Sequence, residues 1–172
     1  MRLFVALPIP PEAVGWIMQY RPPILPAGAY WTNPYHWHLT LAFLGEQEEA
    51  LVPEIHRRLE PILQGHPAQS LRPLYIGWVR YALWVHLEPA PTLESLVKLI
   101  HKALNLEFRA PFRPHITIAR SRRLLQWQSP PISERPLFSF TTAHLCESIL
   151  RPSGAEYRTI QRYLFRIDPQ PV

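Results

Sequence analysis

The sequence predicts an α+β protein made of two related halves, and three observations lead there. Short apolar runs of strand character alternate with amphipathic segments. A strand, helix, strand pattern occurs twice along the chain. The same His-x-Thr-x tetrapeptide sits at the matching place in each copy, at His38-Leu39-Thr40-Leu41 and at His115-Ile116-Thr117-Ile118.

The first copy opens with Leu3-Phe4-Val5-Ala6-Leu7, which aligns with Leu83-Trp84-Val85-His86-Leu87 at an offset of 80 residues. Each run meets a proline cluster, and Pro11 and Pro91 suit a first helical turn, where a missing N–H has no partner to lose. Behind them Val14, Ile17 and Met18, and then Leu93, Leu96, Val97, Ile100 and Leu104, follow helical spacing. The His-x-Thr-x strands come next, at an offset of 77. Leu51, Ile55, Leu59 and Ile62 predict a further helix ending near Gly65. Leu74 to Val79 and Phe138 to Ile149 read as third strands of the two halves. Tyr157 to Phe165 is a last strand after a Pro152-Ser153-Gly154 turn. Residues 1–172 read as one domain with halves of roughly 1–80 and 81–172, since no Gly- or Ser-rich linker parts them.

The net charge of +5 favours polyanionic partners without naming one. Only Lys98 and Lys102 are lysines among 18 basic residues, and arginine's planar fork suits phosphate. A host that favours Arg and Pro explains the composition equally well. The single cysteine, Cys146, leaves no internal disulfide and fits a reducing cytosol. The early prolines argue against a signal peptide. No apolar run reaches the roughly 18 residues of a membrane span. A cytoplasmic protein, monomeric for want of heptads, is the expectation.

In a strand, His38 and Thr40 share one face, with Leu39 and Leu41 on the other; His115 and Thr117 share a face against Ile116 and Ile118. Residues two apart lie roughly 7 Å apart, about the span of a phosphate with its bridging oxygens. Two such faces brought together suit phosphodiester chemistry. One neutral imidazole takes a proton from water, one imidazolium protonates the departing oxygen, and the hydroxyls donate to the non-bridging oxygens. No metal or other cofactor is expected: His36 and His38 form an H-x-H pair, but no third ligand stands near them.

Around these motifs the residues leave alternatives open. Arg113 shares the His115 face by alternation and Arg120 falls on the other, unless the strand bends. Phe43 is either a stacking platform for a base or a core residue beside Leu41 and Leu44. Trp31 and Trp127 read as packing. The stretch from Arg151 to Arg166, with Arg158 and Arg162, reads equally as a basic wall for RNA or a solvated strand face. Cys146 reads as a small core residue.

The chain resembles the 2H phosphoesterase superfamily, and within it the RNA 2′,3′-cyclic phosphodiesterases, also called 2′-5′ RNA ligase-like proteins. The likeness is carried by RLFVALPIPPE, HLTLAFLGE, ALWVHLEP, FRPHITIAR and ESILRPSGAEY, nearly end to end. It implies a bilobal, LigT-like α+β fold with a cleft between two antiparallel sheets and helices outside. It also implies opening of 2′,3′-cyclic phosphate ends of RNA to 2′-phosphates, and in some members reversible 2′-5′ joining of tRNA halves. By the same likeness His38 is the proton donor, His115 the proton acceptor, and Arg120 the phosphate contact. Tyr35-His36-Trp37 departs from the family's usual asparagine-leucine lead-in. A small cyclic nucleotide or ADP-ribose cyclic phosphate is the rival substrate, and a non-catalytic RNA-binding module the rival class.

Overall fold

The computed structural model describes residues 1–151 and 154–166. Its elements run β1 (Arg2–Pro8), α1 (Pro11–Tyr20), β2 (Ala29–Trp31), β3 (His38–Glu46), α2 (Val52–Gly65), β4 (Gln69–Leu71) and β5 (Pro73–Val79). They continue with β6 (Ala82–Leu87), α3 (Pro91–Ala103), β7 (His115–Ser121), β8 (Phe138–Phe140), β9 (Thr142–Arg151) and β10 (Gly154–Leu164). The three expected helices form, and Pro11 and Pro91 each open one. The Pro152-Ser153 part of the expected turn lies outside the described residues. The strand expected from Phe138 to Ile149 is two: β8 pairs with β4 in a two-stranded sheet, and β9 joins the main one.

The main sheet has eight strands in the order β10-β9-β1-β3-β7-β6-β5, with β2 alongside β7, and its ladders are antiparallel. Every second residue of the inner strands turns to the helices: Leu3, Val5 and Leu7, Leu39 and Leu41, Leu83, Val85 and Leu87, Ile116 and Ile118. They pack with Ala13, Trp16 and Ile17 of α1, Ile55, Leu59 and Leu63 of α2, and Leu93, Leu96, Val97 and Ile100 of α3 in one apolar core. The opposite face of the sheet carries Phe4, Ala6 and Cys146 in a small separate cluster with Tyr157.

Two features differ from the sequence reading. The halves do not carry separate sheets, because β3 and β7 join them through a single pair, Leu39 with Ile116. Their third strands are also exchanged: β5, from the first half of the chain, pairs with β6, while β9 pairs with β1. Each strand thus extends the sheet of the other repeat, an arrangement local periodicity cannot encode.

Pairing also corrects the alignment of the repeat. Ala6 pairs with Thr40 on β3, and Trp84 pairs with Thr117 on β7, so Ala6 and Trp84 are the structural equivalents at an offset of 78. The sequence alignment had matched Ala6 to His86. The apolar alternation of both strands looks the same after a two-residue slide, and only the partner strand sets the register.

Leu39 and Ile116 are both fully buried at the seam. Leu39→Ala should cost about 2–5 kcal/mol of unfolding free energy, as large-to-small core changes do. Urea denaturation of the variant checks this; a loss under 1 kcal/mol would show that the seam contributes little.

Candidate active site

Because Leu39 and Ile116 both point into the core, their neighbours His38, Thr40, His115 and Thr117 all point to the open face. Continuing the antiparallel register sets His38 opposite Thr117 and Thr40 opposite His115. The two histidines then stand on a diagonal of roughly 7–8 Å between Cβ atoms. That spacing lets two imidazole rings approach one phosphorus from opposite sides.

Each imidazole is held the same way. His38 Nδ1 lies 2.6 Å from the His36 carbonyl oxygen, and His115 Nδ1 lies 2.8 Å from that of Arg113. A carbonyl only accepts, so both Nδ1 atoms carry the proton, and each Nε2 is left for substrate. Rings pack against both. Trp84 stacks on His115 with centroids 3.6 Å apart and planes 16° apart. Phe4 lies 5.0 Å from His38, and Tyr157 meets His38 edge-on at 5.1 Å.

Burial holds the His38 imidazole below its ordinary value; the hydrogen bond to His36 opposes that, while the charges of Arg120, His115 and His36 add to it. His115 is lowered as well, mainly by burial, with the Arg113 hydrogen bond opposing. In the free protein both rings therefore favour the neutral form near pH 7.

The segment between β2 and β3 braces both motifs. Thr32 N–H donates to the Ile118 carbonyl at 3.0 Å, and the Thr32 hydroxyl to that of Thr117 at 3.3 Å. Buried Trp37 donates its Nε1–H to the Thr32 hydroxyl at 2.8 Å. The unusual lead-in is part of this brace: Tyr35 N–H is capped by Asn33 Oδ1 at 3.0 Å in a short 3-10 turn, Pro34–His36. His36 thus supplies a carbonyl to His38, and its ring faces Tyr157.

Bulges set the faces on which Phe43 and Arg120 stand. On β3, Ala6 pairs with Thr40 but Val5 with Ala42, so one residue is skipped and Phe43 returns to the His38 face, 72% exposed and opposite Phe4. On β7, Trp84 pairs with Thr117 but Leu83 with Ala119, and Arg120 returns to the His115 face. Strict alternation, which put Arg120 on the far face and favoured core packing for Phe43, fails at these extra residues. Arg120 stands between Tyr30 and Ala82, and its charge reaches His38. Arg113 bears instead on His86.

The expected basic wall is partly paired within itself. Arg158 meets Glu147 at 2.7 Å and Arg151 meets Glu156 at 3.1 Å, while Arg162 pairs across to His144 on the open face. Trp31 lies under Arg21, 4.3 Å away, and packs against the core, whereas the Trp127 backbone carbonyl accepts the Trp78 N–H and its side chain is 39% exposed. The thiol of Cys146 is buried and pushed up to about 11, as befits an inert side chain. Among the described residues no three His, Cys, Asp or Glu side chains gather as a metal set.

Sequence reasoning missed His86 and His144. His86 pairs with His115 and stacks on Tyr75 at 4.2 Å. His144 pairs with Ala6 and lies 9% exposed, with Thr142 and Thr159 hydroxyls at 3.5 and 3.4 Å. Alternation along Leu83-Trp84-Val85-His86 could have shown His86 on the site face; nothing local marks His144.

The overall fold and part of the sequence have counterparts among known proteins. Residues 7–72 match the model of the LigT-like phosphoesterases, which takes in the first His motif, and curated relatives align over nearly the whole chain. Over residues 7–72 the chain is similar to the LigT-like phosphoesterases. A Thermotoga maritima protein named RNA 2′,3′-cyclic phosphodiesterase is 26% identical, covering 96% of each chain. A Thermus thermophilus protein of the same name is 27% identical over 96% of this chain and 91% of its own. Among solved structures, a Thermus thermophilus protein superposes with a TM-score of 0.82 at 23% identity, covering 98% of this chain and 100% of its own. Escherichia coli LigT with 3′-AMP gives 0.79 at 23% identity over 95% and 97%. LigT-like folds thus share the α+β architecture found here.

Burial holds His86 at about 4, with the charges of His115 and Arg113 adding and a Gly77 hydrogen bond opposing. An unfolded chain takes up that proton near pH 6.5, so stability present above that pH is lost as pH falls toward 4. His86→Phe keeps a ring on Tyr75 and removes the titration. The drop in Tm between those pH values should shrink in this variant, followed by thermal melts; an unchanged drop would show that His86 is not responsible.

Proposed function

We propose that this protein is a LigT-like phosphoesterase that hydrolyses the 2′,3′-cyclic phosphate ends of RNA to 2′-phosphomonoesters. The observation that carries the reading is that each motif histidine, on strands joined at Leu39 and Ile116, is held through Nδ1 by a backbone carbonyl. The names of the curated relatives supply the substrate class. In the proposed reaction neutral His115 takes a proton from water through Nε2 as the water oxygen bonds to phosphorus. The P–O3′ bond breaks, and His38 imidazolium passes its Nε2 proton to O3′. Exchange with solvent returns both rings to their starting states.

Thr40 and Thr117, one beside each histidine, donate to the non-bridging oxygens as charge builds there. The two imidazoles supply both proton transfers, so the reaction needs no metal. Arg120, on the same face, offsets the phosphate charge, and Phe43 gives an exposed ring against which a base can stack. With the 5′-hydroxyl of a second RNA end taking the place of water, as in tRNA halves, the same transfers form a 2′-5′ link and release O3′ as the hydroxyl.

His38 is neutral in the free protein near pH 7 yet must start charged, and the bound phosphate anion supplies the attraction that restores its proton. The optimum of kcat should accordingly lie at higher pH than that of kcat/KM, because kcat reports the bound state. Both profiles should be bell-shaped, and a flat one between pH 5 and 9 would contradict the paired-histidine reading.

The direct test is an RNA oligonucleotide with a 2′,3′-cyclic end, incubated in EDTA. Turnover should give a 2′-phosphate, and His38→Ala or His115→Ala should each reduce kcat by about 10²–10⁴-fold. Turnover lost in EDTA, or retained in both variants, would overturn the proposal. Arg120→Ala should lower kcat/KM by about ten- to a hundredfold, the worth of one charge-assisted hydrogen bond. A larger loss in Arg113→Ala would exchange the roles of the two arginines.

A further inference from the structure

We infer that a pocket beside His38, floored by Ala6 and walled by β9, β10 and the Pro34–His36 turn, receives the nucleoside ring of the terminal nucleotide. This rests on the hydrolysis proposed above and adds to it a second site, which also sets the direction of attack. The inference starts from a break in the symmetry of the sheet.

Around the seam the two halves place the same residues: His38 and His115, Thr40 and Thr117. One strand further out they differ. Ala6 stands beside Thr40 where Trp84 stands beside Thr117, and Pro8 stands beside His38 where His86 stands beside His115. On the second side the Trp84 indole fills the space and lies flat on His115. On the first side a methyl group replaces the indole, and the space stays open. It forms a pocket of about 90 Å³ lined by Ala6, Tyr35, His36, His38, Tyr157 and Thr159, with His144 and Cys146 behind.

The lining suits a planar, partly polar ring. Tyr157 stands edge-on to both His38 and Phe4, at 5.1 and 5.2 Å, and its ring also faces His36 at 5.3 Å. At the back His144 is nine-tenths buried. Its two contacts, to the Thr142 and Thr159 hydroxyls, are at 3.5 and 3.4 Å, the long limit of a hydrogen bond, so the ring can turn to a better partner. Thr159 and His144 can each donate or accept, which matches the carbonyl and amino edge of a base.

A nucleoside ring held there brings its ribose, and hence O3′, to His38. The attacking water is left on the side of His115, whose approach from the second half is closed by Trp84. The pocket thus explains why two nearly identical motifs take different parts.

Cytidine 2′,3′-cyclic phosphate and glycerol 1,2-cyclic phosphate carry the same five-membered cyclic diester with and without the nucleoside rings, and their kcat/KM values give a preference ratio. Ala6→Leu, which projects into the pocket, should reduce that ratio at least tenfold, chiefly through KM for the nucleotide. Thr159→Ile narrows the pocket from the edge strand and should reduce it in the same direction, which covers the case of a poorly folding Ala6 variant. Ratios within twofold of the wild type in both folded variants would overturn the pocket while leaving the hydrolysis proposal standing. A wild-type protein that turns over neither these esters nor the RNA oligonucleotide with a 2′,3′-cyclic end would overturn the hydrolysis proposal itself, and the subsite with it.

Discussion

One buried pair of side chains, Leu39 and Ile116, sets the arrangement of the whole open face. It is the lone rung between β3 and β7, and both members are fully buried against the helices. Strand alternation then leaves no freedom: with these two turned inward, the two histidines and two threonines that flank them must turn outward together. A slip of one residue on either strand would bury one motif and expose the core, so the apolar side holds the polar side in register. The placement of the two motifs is thereby carried by residues with no chemistry of their own.

The environment of the two rings follows from the same placement. Both lie close to the sheet under aromatic neighbours, and desolvation lowers both. What separates them is the outer ring of neighbours: an indole on one side, a methyl and a tyrosine edge on the other. A fold that repeats itself in backbone needs only one or two side chains to tell its halves apart.

Much of this was legible in the sequence, and what was not has common physical causes. The helices were visible because Pro11 and Pro91 mark first turns and the apolar residues behind them keep a 3.6-residue period. His38, Thr40, His115 and Thr117 were visible because the same spacing occurs twice. The bulges that turn Phe43 and Arg120 to the open face were not, since an extra residue in one strand shows only against its partner. Nor was the two-residue slide of Ala6 and Trp84 against the repeat, or the exchange of β5 and β9, because pairing is non-local. His144 escaped for the same reason, being brought to the site by Ala6 across a ladder rather than by any neighbour in sequence.

The exchange of β5 and β9 has a consequence for how the molecule can come apart. The chain passes from one repeat to the next through the β5–β6 hairpin, so the link between the repeats is itself a ladder within the sheet. A nick at Arg80 would not release two self-sufficient fragments: the first would lack β9 and β10 along its edge, and the second would lack β5. Each piece would hold the strand that completes the other. Neither repeat is a free-standing module, and the halves are expected to melt together, as an interlocked pair rather than as beads on a string.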